Sequence, residues 1–462
     1  MNSSIQATLT QGSVPRHLYT MAAPIVWGLL ATMSFNAVDT IFVAQLGDAP
    51  LAAISFTFPV IMVVTSFAIG LGAGSSSTIS RAIGAGKHEQ VRRLATDALS
   101  LATLISIAVC TIGWLTIDPL FTALGATEEL LPLIQDYMSV WYLSAPFLMV
   151  PMISLSALRA LGFAKIQGIL MMAAALMNAI LDPLLIFGVW GLPRLEIEGA
   201  AWASLITRIF MLITAVSILQ GRFRMLTNPF VHWQQLINSW TRILHVGVPA
   251  LMSNLIIPIA SGIVVKLASA FGTDAVAGLG VAVRIEPIAL IVFYALSGVV
   301  GPFCGQNLGA GKIDRMQEAV RVITKFCLLF GLVLALVLWL LGPQFASLFT
   351  DSEDIASVAI RYFMIVPLSY GAYGLVMSVI AIFNGLGLPT PGFTVSFARV
   401  IGVYLPLAFI GKWLWQLQGL FLATCLTNLV VGAIAIVWLH KTLATFKSTE
   451  QENETVKVAL SN

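Results

Sequence analysis

The sequence predicts an all-α integral membrane protein: twelve transmembrane helices in two six-helix lobes related by a parallel pseudo-two-fold repeat. Three observations carry that prediction. Of 462 residues, 58% are hydrophobic and only 10% are charged, where soluble domains carry roughly 25% charged residues. The apolar residues gather into twelve stretches near or above the about 20 residues that a helix needs to cross a bilayer core. Landmark residues recur at one offset, as Pro24 does at Pro249.

The elements follow in order. The polar segment 1–17, MNSSIQATLTQGSVPRH, lacks the basic start, short apolar core and small-residue cleavage site of a removable signal peptide. It reads as a cytoplasmic N-terminal segment. Spans near 18–46, 51–79, 94–117, 131–158, 166–190 and 199–220 make an N-lobe over 18–220. Residues 221–242 form the longest internal loop and the expected cytoplasmic linker. Spans near 243–271, 276–304, 322–342, 355–383, 391–415 and 418–440 make a C-lobe over 243–440, and 441–462 is a cytoplasmic tail.

Charge fixes the expected orientation. One set of loops holds Arg81, Lys87, Arg92 and Arg93, then Arg159 and Lys165, then Arg222, Arg224 and Arg242, then Lys312, Arg315 and Arg321. The opposite set holds Asp48, Asp118, Glu128, Glu129, Asp274, Asp351, Glu353 and Asp354, with Arg194 and Lys412 as exceptions. Lysine and arginine mark cytoplasmic loops, so both termini are expected inside the cell's inner membrane. The net charge is only +3, and no basic run is long enough to follow a phosphate backbone, so a nucleic-acid partner is not expected. The four cysteines have no CxxC spacing and read as small core residues.

The repeat is built from separate landmarks. IGAGKHEQVRR (83–93) aligns with LGAGKIDRMQEAVR (308–321), QLGDAPLAA (45–53) with AFGTDAVAG (270–278), and ALRALG (157–162) with IFNGLG (382–387). After a small deletion, EGAAWASLITR (198–208) aligns with QGLFLATCLTN (418–428). Six spans per copy give both copies the same orientation. Transporters of this kind bind substrate between the halves and rock one against the other.

Few charges lie inside spans. Well inside them, the acids are Asp39, Asp182 and Glu286 and the bases are Arg208, Lys266, Arg284, Arg361 and Arg399. Each costs about 2.5–3.5 kcal/mol at the bilayer centre on insertion scales, so each needs a partner, water or a role. Asp39 and Asp182 lie at a shared depth, roughly 10–12 Å below the outer surface at 1.5 Å per residue. Asn36 is three residues before Asp39, Asn178 is four before Asp182, and Ser204 falls at a similar depth in the sixth span. Two carboxyls in a water-poor site cannot both ionise cheaply, which suits a proton; their oxygens with amide and hydroxyl oxygens also suit Na⁺ at Asp39 and Asp182. At the repeat offset Asp39 faces Val264, Asn178 faces Val403 and Asp182 faces Leu407, so the ion chemistry is expected in the first half. Glu286 reads as a gating or structural ion pair. Arg284 is its sequence neighbour, although an i,i+2 pair shares no helix face, and Arg361 or Arg399 are the partners from other helices. Lys266 is near enough to its helix end to snorkel.

With VDTIFVAQLG (38–47), IGAGK and LGAGK after the second and eighth spans, ALRALG after the fourth, LDP in the fifth and EGAAWAS opening the sixth, the chain resembles the multidrug and toxic compound extrusion (MATE) transporters over about residues 15–440. It looks most like their DinF branch. The resemblance implies a secondary antiporter that exports amphipathic or cationic organic compounds by alternating access. It implies an N-lobe coupling cluster at Asp39, Asn178, Asp182 and Ser204, with Phe35 where some relatives carry a tyrosine. Another branch uses acids in helices 7 and 10; the corresponding stretches here, SNLIIPIASGIVV and SYGAYGLVMSVIAIF, have none, which favours H⁺ over Na⁺ as the coupling ion. The implied partners are drug-like small molecules and the bilayer, with no other cofactor, and the chain is expected to act as a monomer. A lipid-linked precursor flippase of the same superfamily is the alternative, kept open by the mid-span bases. Neither HExxH nor GxSxG occurs, so no enzyme is expected.

Overall fold

Hydrocarbon offers the backbone no hydrogen-bond partner, so each apolar stretch has to close its own bonds as a helix. The computed structural model describes residues 5–191, 193–229 and 233–461, with side chains described to residue 448. The first four residues of the expected N-terminal segment, residues 230–232 of the expected linker and the end of the tail lie outside the described residues.

The first half contains α1 (Val14–Ala44), α2 (Asp48–Gly84), α3 (His88–Leu115), a bent α4 (Leu131–Leu143 and Ala145–Ala160), α5 (Ala164–Phe187) and α6 (Glu196–Gly221). The second contains α7 (Trp233–Ala268), α8 (Thr273–Ala289 and Ile291–Gly309), α9 (Ile313–Ser347) and α10, made of Glu353–Ile365, a 3-10 turn at Val366–Ser369 and Tyr370–Leu386. α11 starts at Pro389–Phe397 and passes through a π-helical stretch, Ala398–Tyr404. The element that follows, Leu405–Ser461, breaks at Trp415 and Gln416, and α12 is the part beyond that break. Ten helices among the described residues are long and apolar enough to span a membrane, or eleven with the two parts of α4 taken as one bent span. One of the ten, Pro389–Ser448, carries both of the last two spans expected from the sequence.

The glycines of the repeat explain where helices turn. Gly47 and Gly272, Gly86 and Gly311, and Gly162 and Gly387 all have positive φ, a conformation that costs glycine little and other residues much. Within each half, small residues let helices approach closely: a Cβ on Gly168 would strike the backbone of Pro24, and one on Gly385 would strike Gly301. On α9, Leu329, Leu332, Leu336 and Leu340 are exposed along one face, the stripe that lipid covers.

The chain divides into two compact units, and the division differs from the lobe boundaries expected from the sequence. Unit 1 is Met1–Ala7 with Ala23–Leu251; unit 2 is Thr8–Ala22 with Met252–Asn462. One boundary lies between Ala7 and Thr8, ahead of α1, and the other two fall inside α1 and α7. Within unit 2, the start of the chain is fastened by main-chain bonds: Leu9 N–H donates to Gln306 Oε1 (3.1 Å), Lys312 Nζ to Thr10 O (2.8 Å) and Arg315 Nη1 to Gly12 O (2.8 Å). Within unit 1, the matching start of α7 is held by Trp240 Nε1 donating to Asp97 O (3.0 Å) and by Gly74 packed on Ile243 and Gly247. Side-chain bonds and glycine contacts made before the first core turns thus assign each helix start to a unit, which hydropathy alone does not register.

Candidate functional site

Unit 1 gathers its mid-span charges around the break in α4. Pro146 lacks the N–H that would bond to Tyr142 and its ring clashes there, so α4 bends by 42° at Ser144. The bend lets two turns of α4 face α1, α5 and α6. Asp182 of α5 is fully buried, and Asp39 of α1 is half-buried. Their carboxyls lie within hydrogen-bonding reach of each other. Neither Asp182 oxygen meets a protein donor. Ionised carboxylates only accept hydrogen bonds, so this contact becomes a bond only when a proton or another cation sits between the two. Burying the bare charge would cost several kcal/mol.

The surroundings of the pair are partly those expected. Asn178 lies one turn before Asp182, and its Oδ1 accepts a hydrogen bond from Thr207 Oγ1 (2.5 Å). The hydroxyl that reaches Asn178 is therefore Thr207, while Ser204, one turn earlier, is half-buried and makes no hydrogen bond to it. Asn36 is exposed, and its contribution is main-chain: its carbonyl accepts from Thr40 Oγ1 (2.8 Å). Phe35 is half-buried on the same helix.

Two participants were missed from the sequence. Tyr137 of α4 is 7% exposed and is the group within charge range of Asp39, Asp182 and Arg208 together. Arg208 of α6 donates to Ser144 Oγ, and its guanidinium lies 5.1 Å from the centre of the Trp141 ring. The repeat held a signal for Tyr137 and for the serine that Arg208 bonds: Tyr137 and Ser144 recur at one offset as Tyr362 and Ser369.

Unit 2 has a polar cluster of its own. Glu286 of α8 lies beside the hydroxyls of Tyr362 and Tyr370 of α10, with Arg399 of α11 in charge range. Arg284 is exposed and turned to a different side of the helix from Glu286; of the two partners named from other helices, Arg399 is the one in charge range of Glu286. Asn428 of α12 donates to Ser369 Oγ (3.0 Å) and accepts from Arg399 Nη1 (3.3 Å). Arg399 also lies 4.5 Å from the centre of the Tyr373 ring. Among the described residues no group of three or more His, Cys, Asp or Glu residues is placed to hold a metal ion, and all four cysteines are free thiols.

Comparison with known proteins accounts for this arrangement. The MatE family model matches residues 24–184 and again 249–410, beginning at Pro24 and Pro249, the same pair that opens the internal repeat. The chain is 37% identical over 424 residues to the FAD transporter of Shewanella oneidensis, covering 92% of this chain and 94% of that protein. It is 24% identical to the multidrug export protein MepA of Staphylococcus aureus over 92% of this chain and 94% of MepA. Among solved structures, the Vibrio cholerae MATE transporter VcmN in the bent form superposes with a TM-score of 0.89 at 33% identity, covering 95% of this chain and 99% of VcmN. With the family matched twice along one chain of membrane-spanning helices, the protein belongs to the MatE family of transporters and is not an enzyme.

Proposed function

We propose that the protein is a cation-coupled secondary antiporter of the cytoplasmic membrane, with both termini inside, that exports amphipathic or cationic organic compounds as a monomer. The observation that carries this reading is the fully buried Asp182 carboxyl, which meets no protein donor and lies beside Asp39. Such a pair takes up one proton readily, and loses it when water and counter-charge reach it. In the outward-facing state a proton enters between the two carboxyls, removes one of their two negative charges and so weakens the repulsion that sets the position of α1. In the inward-facing state the proton leaves and the recharged pair restores affinity for the next cargo molecule. Tyr137 lies within charge range of both carboxyls. Na⁺ fits the same oxygens, but a single proton already completes the carboxyl contact, and the interiors of helices 7 and 10 offer no second acid.

The energetics are adequate. One elementary charge moving through 100 mV releases about 2.3 kcal/mol, which sustains roughly a fifty-fold gradient of cargo. The motif set keeps the DinF branch as the best fit among branches of the family. The test is export from vesicles under an imposed pH or sodium gradient. Export driven equally well by either gradient, or unaffected in both Asp39→Asn and Asp182→Asn, overturns the proposal.

A second reading concerns the cargo. The relative at 37% identity is a FAD transporter, and the second half of this chain carries Lys266, Arg284, Arg361 and Arg399 within its spans against the single acid Glu286. On that reading the exported compound is a phosphate-bearing flavin rather than a cationic drug. Export of a flavin dinucleotide measured beside a cationic dye in the same vesicles separates the two.

A further inference from the structure

Unit 2 contains a guanidinium that proton coupling leaves without a task. Arg399 lies in the π-helical stretch of α11, ten residues beyond Pro389, or about 15 Å along the axis. π-helical turns are rare and recur at functional sites. The guanidinium is half-buried, with the Tyr373 ring on one side at 4.5 Å and Asn428 accepting from Nη1 at 3.3 Å. Asn428 is itself fixed by its bond to Ser369. A guanidinium has five N–H donors. Among the described residues one of them is in a hydrogen bond, and the ion pairs formed are Arg93–Asp97, Arg194–Glu196 and Lys447–Asp314, none involving Arg399. Glu286 is within charge range but not in an ion pair, and the fully buried hydroxyl of Tyr370 beside it has no formed hydrogen bond.

A planar cation held by a ring on one side and an amide at one nitrogen, with most of its donors open, matches the fork geometry of a phosphate or carboxylate. The contrast with Arg208 sharpens the point. Arg208 shares Tyr137 with two carboxyls, so its half already supplies the negative charge. In the second half Arg399 has Glu286 within charge range but forms no ion pair with it, so an anion from outside the chain can complete its donors.

We infer that Arg399, backed by Tyr373 and fixed by Asn428, receives a phosphate or pyrophosphate group of the exported compound. This deepens the second reading of the proposed function and rests on it for a phosphate-bearing cargo. Glu286 and its two tyrosines sit where they partly balance Arg399 while the site is empty. A phospholipid headgroup offers the same chemistry, and the experiment distinguishes it from a free phosphate ester.

The experiment measures quenching of flavin fluorescence on purified protein in detergent, with riboflavin, flavin mononucleotide and flavin adenine dinucleotide. These share one ring system and differ in phosphate. The wild type is expected to bind both phosphate-bearing flavins at least ten-fold more tightly than riboflavin, and Arg399→Gln to reduce that preference to less than three-fold. Arg399→Lys, which keeps the charge and loses the fork, is expected to fall between. If R399Q does not yield monodisperse protein, Arg399→Lys and Tyr373→Leu carry the same comparison. Equal affinity for all three flavins in the wild type, or an unchanged preference in these variants, overturns the inference. Competition by inorganic pyrophosphate supports it, and competition by phosphatidylglycerol alone overturns it in favour of a lipid site. The coupling proposal is read independently: Asp39→Asn should lose gradient-driven export while keeping the phosphate preference. A wild type that prefers phosphate without gradient-driven export breaks the coupling proposal alone.

Discussion

The two halves of the chain build their polar clusters on one scaffold and fill it with a different balance of charge, two acids with one base in the first and one of each in the second. α4 and α10 both break at the same place in the repeat, at Ser144 and at Val366–Ser369. Each carries a tyrosine two turns before the break, Tyr137 or Tyr362, and a serine at it, Ser144 or Ser369. In the first half Arg208 bonds directly to that serine. In the second half Asn428 takes the aligned position, bonds to Ser369, and passes the contact on to Arg399 of a different helix. The acids differ as well: two, from α1 and α5, in the first half, and one, from α8, in the second. A duplicated scaffold therefore does not imply a duplicated function. The tyrosine and serine preserve the architecture, while the residues brought up to them decide whether the site takes a cation or an anion.

That contrast can be broken experimentally, and the largest effect should come from the acid pair. Asp39→Asn and Asp182→Asn should each lower proton-driven export by about a hundred-fold or more, since removing a group that acts as part of a unit costs nearly as much as removing the unit. The double variant should be hardly worse than either single one. Proteoliposome flux with an imposed pH gradient measures this, and additive losses would show that the two acids act separately.

Tyr137→Phe should come next. It removes the hydroxyl within charge range of both carboxyls, and proton-driven flux is expected to fall by about ten-fold, the equivalent of about 1.4 kcal/mol. Tyr362→Phe, its partner in the repeat, should leave the pH dependence of export unchanged. A shift of the pH profile in Tyr362→Phe rather than Tyr137→Phe would reverse the assignment of the two halves.

Packing gives a smaller effect that the halves should share. Gly168→Ala forces α5 off Pro24, and Gly385→Ala forces α10 off Gly301. Overpacking of this kind costs about 1–3 kcal/mol, visible as a lowered Tm of the purified protein. The smallest effect should be Thr207→Val, which deletes the bond to Asn178. Hydrogen bonds between membrane helices average about 0.6 kcal/mol, so stability should barely change while proton-driven export falls. A large drop in Tm with normal export would make Thr207 a structural residue only.

The sequence determined the membrane class, the spans, the repeat and the acid pair. These depend on quantities that add up along a chain: hydropathy over 20 residues, turns that need glycine, and the cost of a lone charge in hydrocarbon. The positive φ values of Gly47, Gly86 and Gly162 and of their repeat partners follow from that local chemistry. The tertiary structure decided what meets across helices. Ser204 and Thr207 differ by one turn, or about 4.5 Å along the axis, less than the uncertainty in a depth counted from an expected helix end. Tyr137 enters the site because Pro146 bends α4, and Arg399 turns from an unassigned base into a candidate anion receptor because a π-helical stretch sets it against Tyr373 and Asn428. Contacts between helices depend on their bend, rotation and tilt, which arise from packing and are not encoded in any single stretch of the chain.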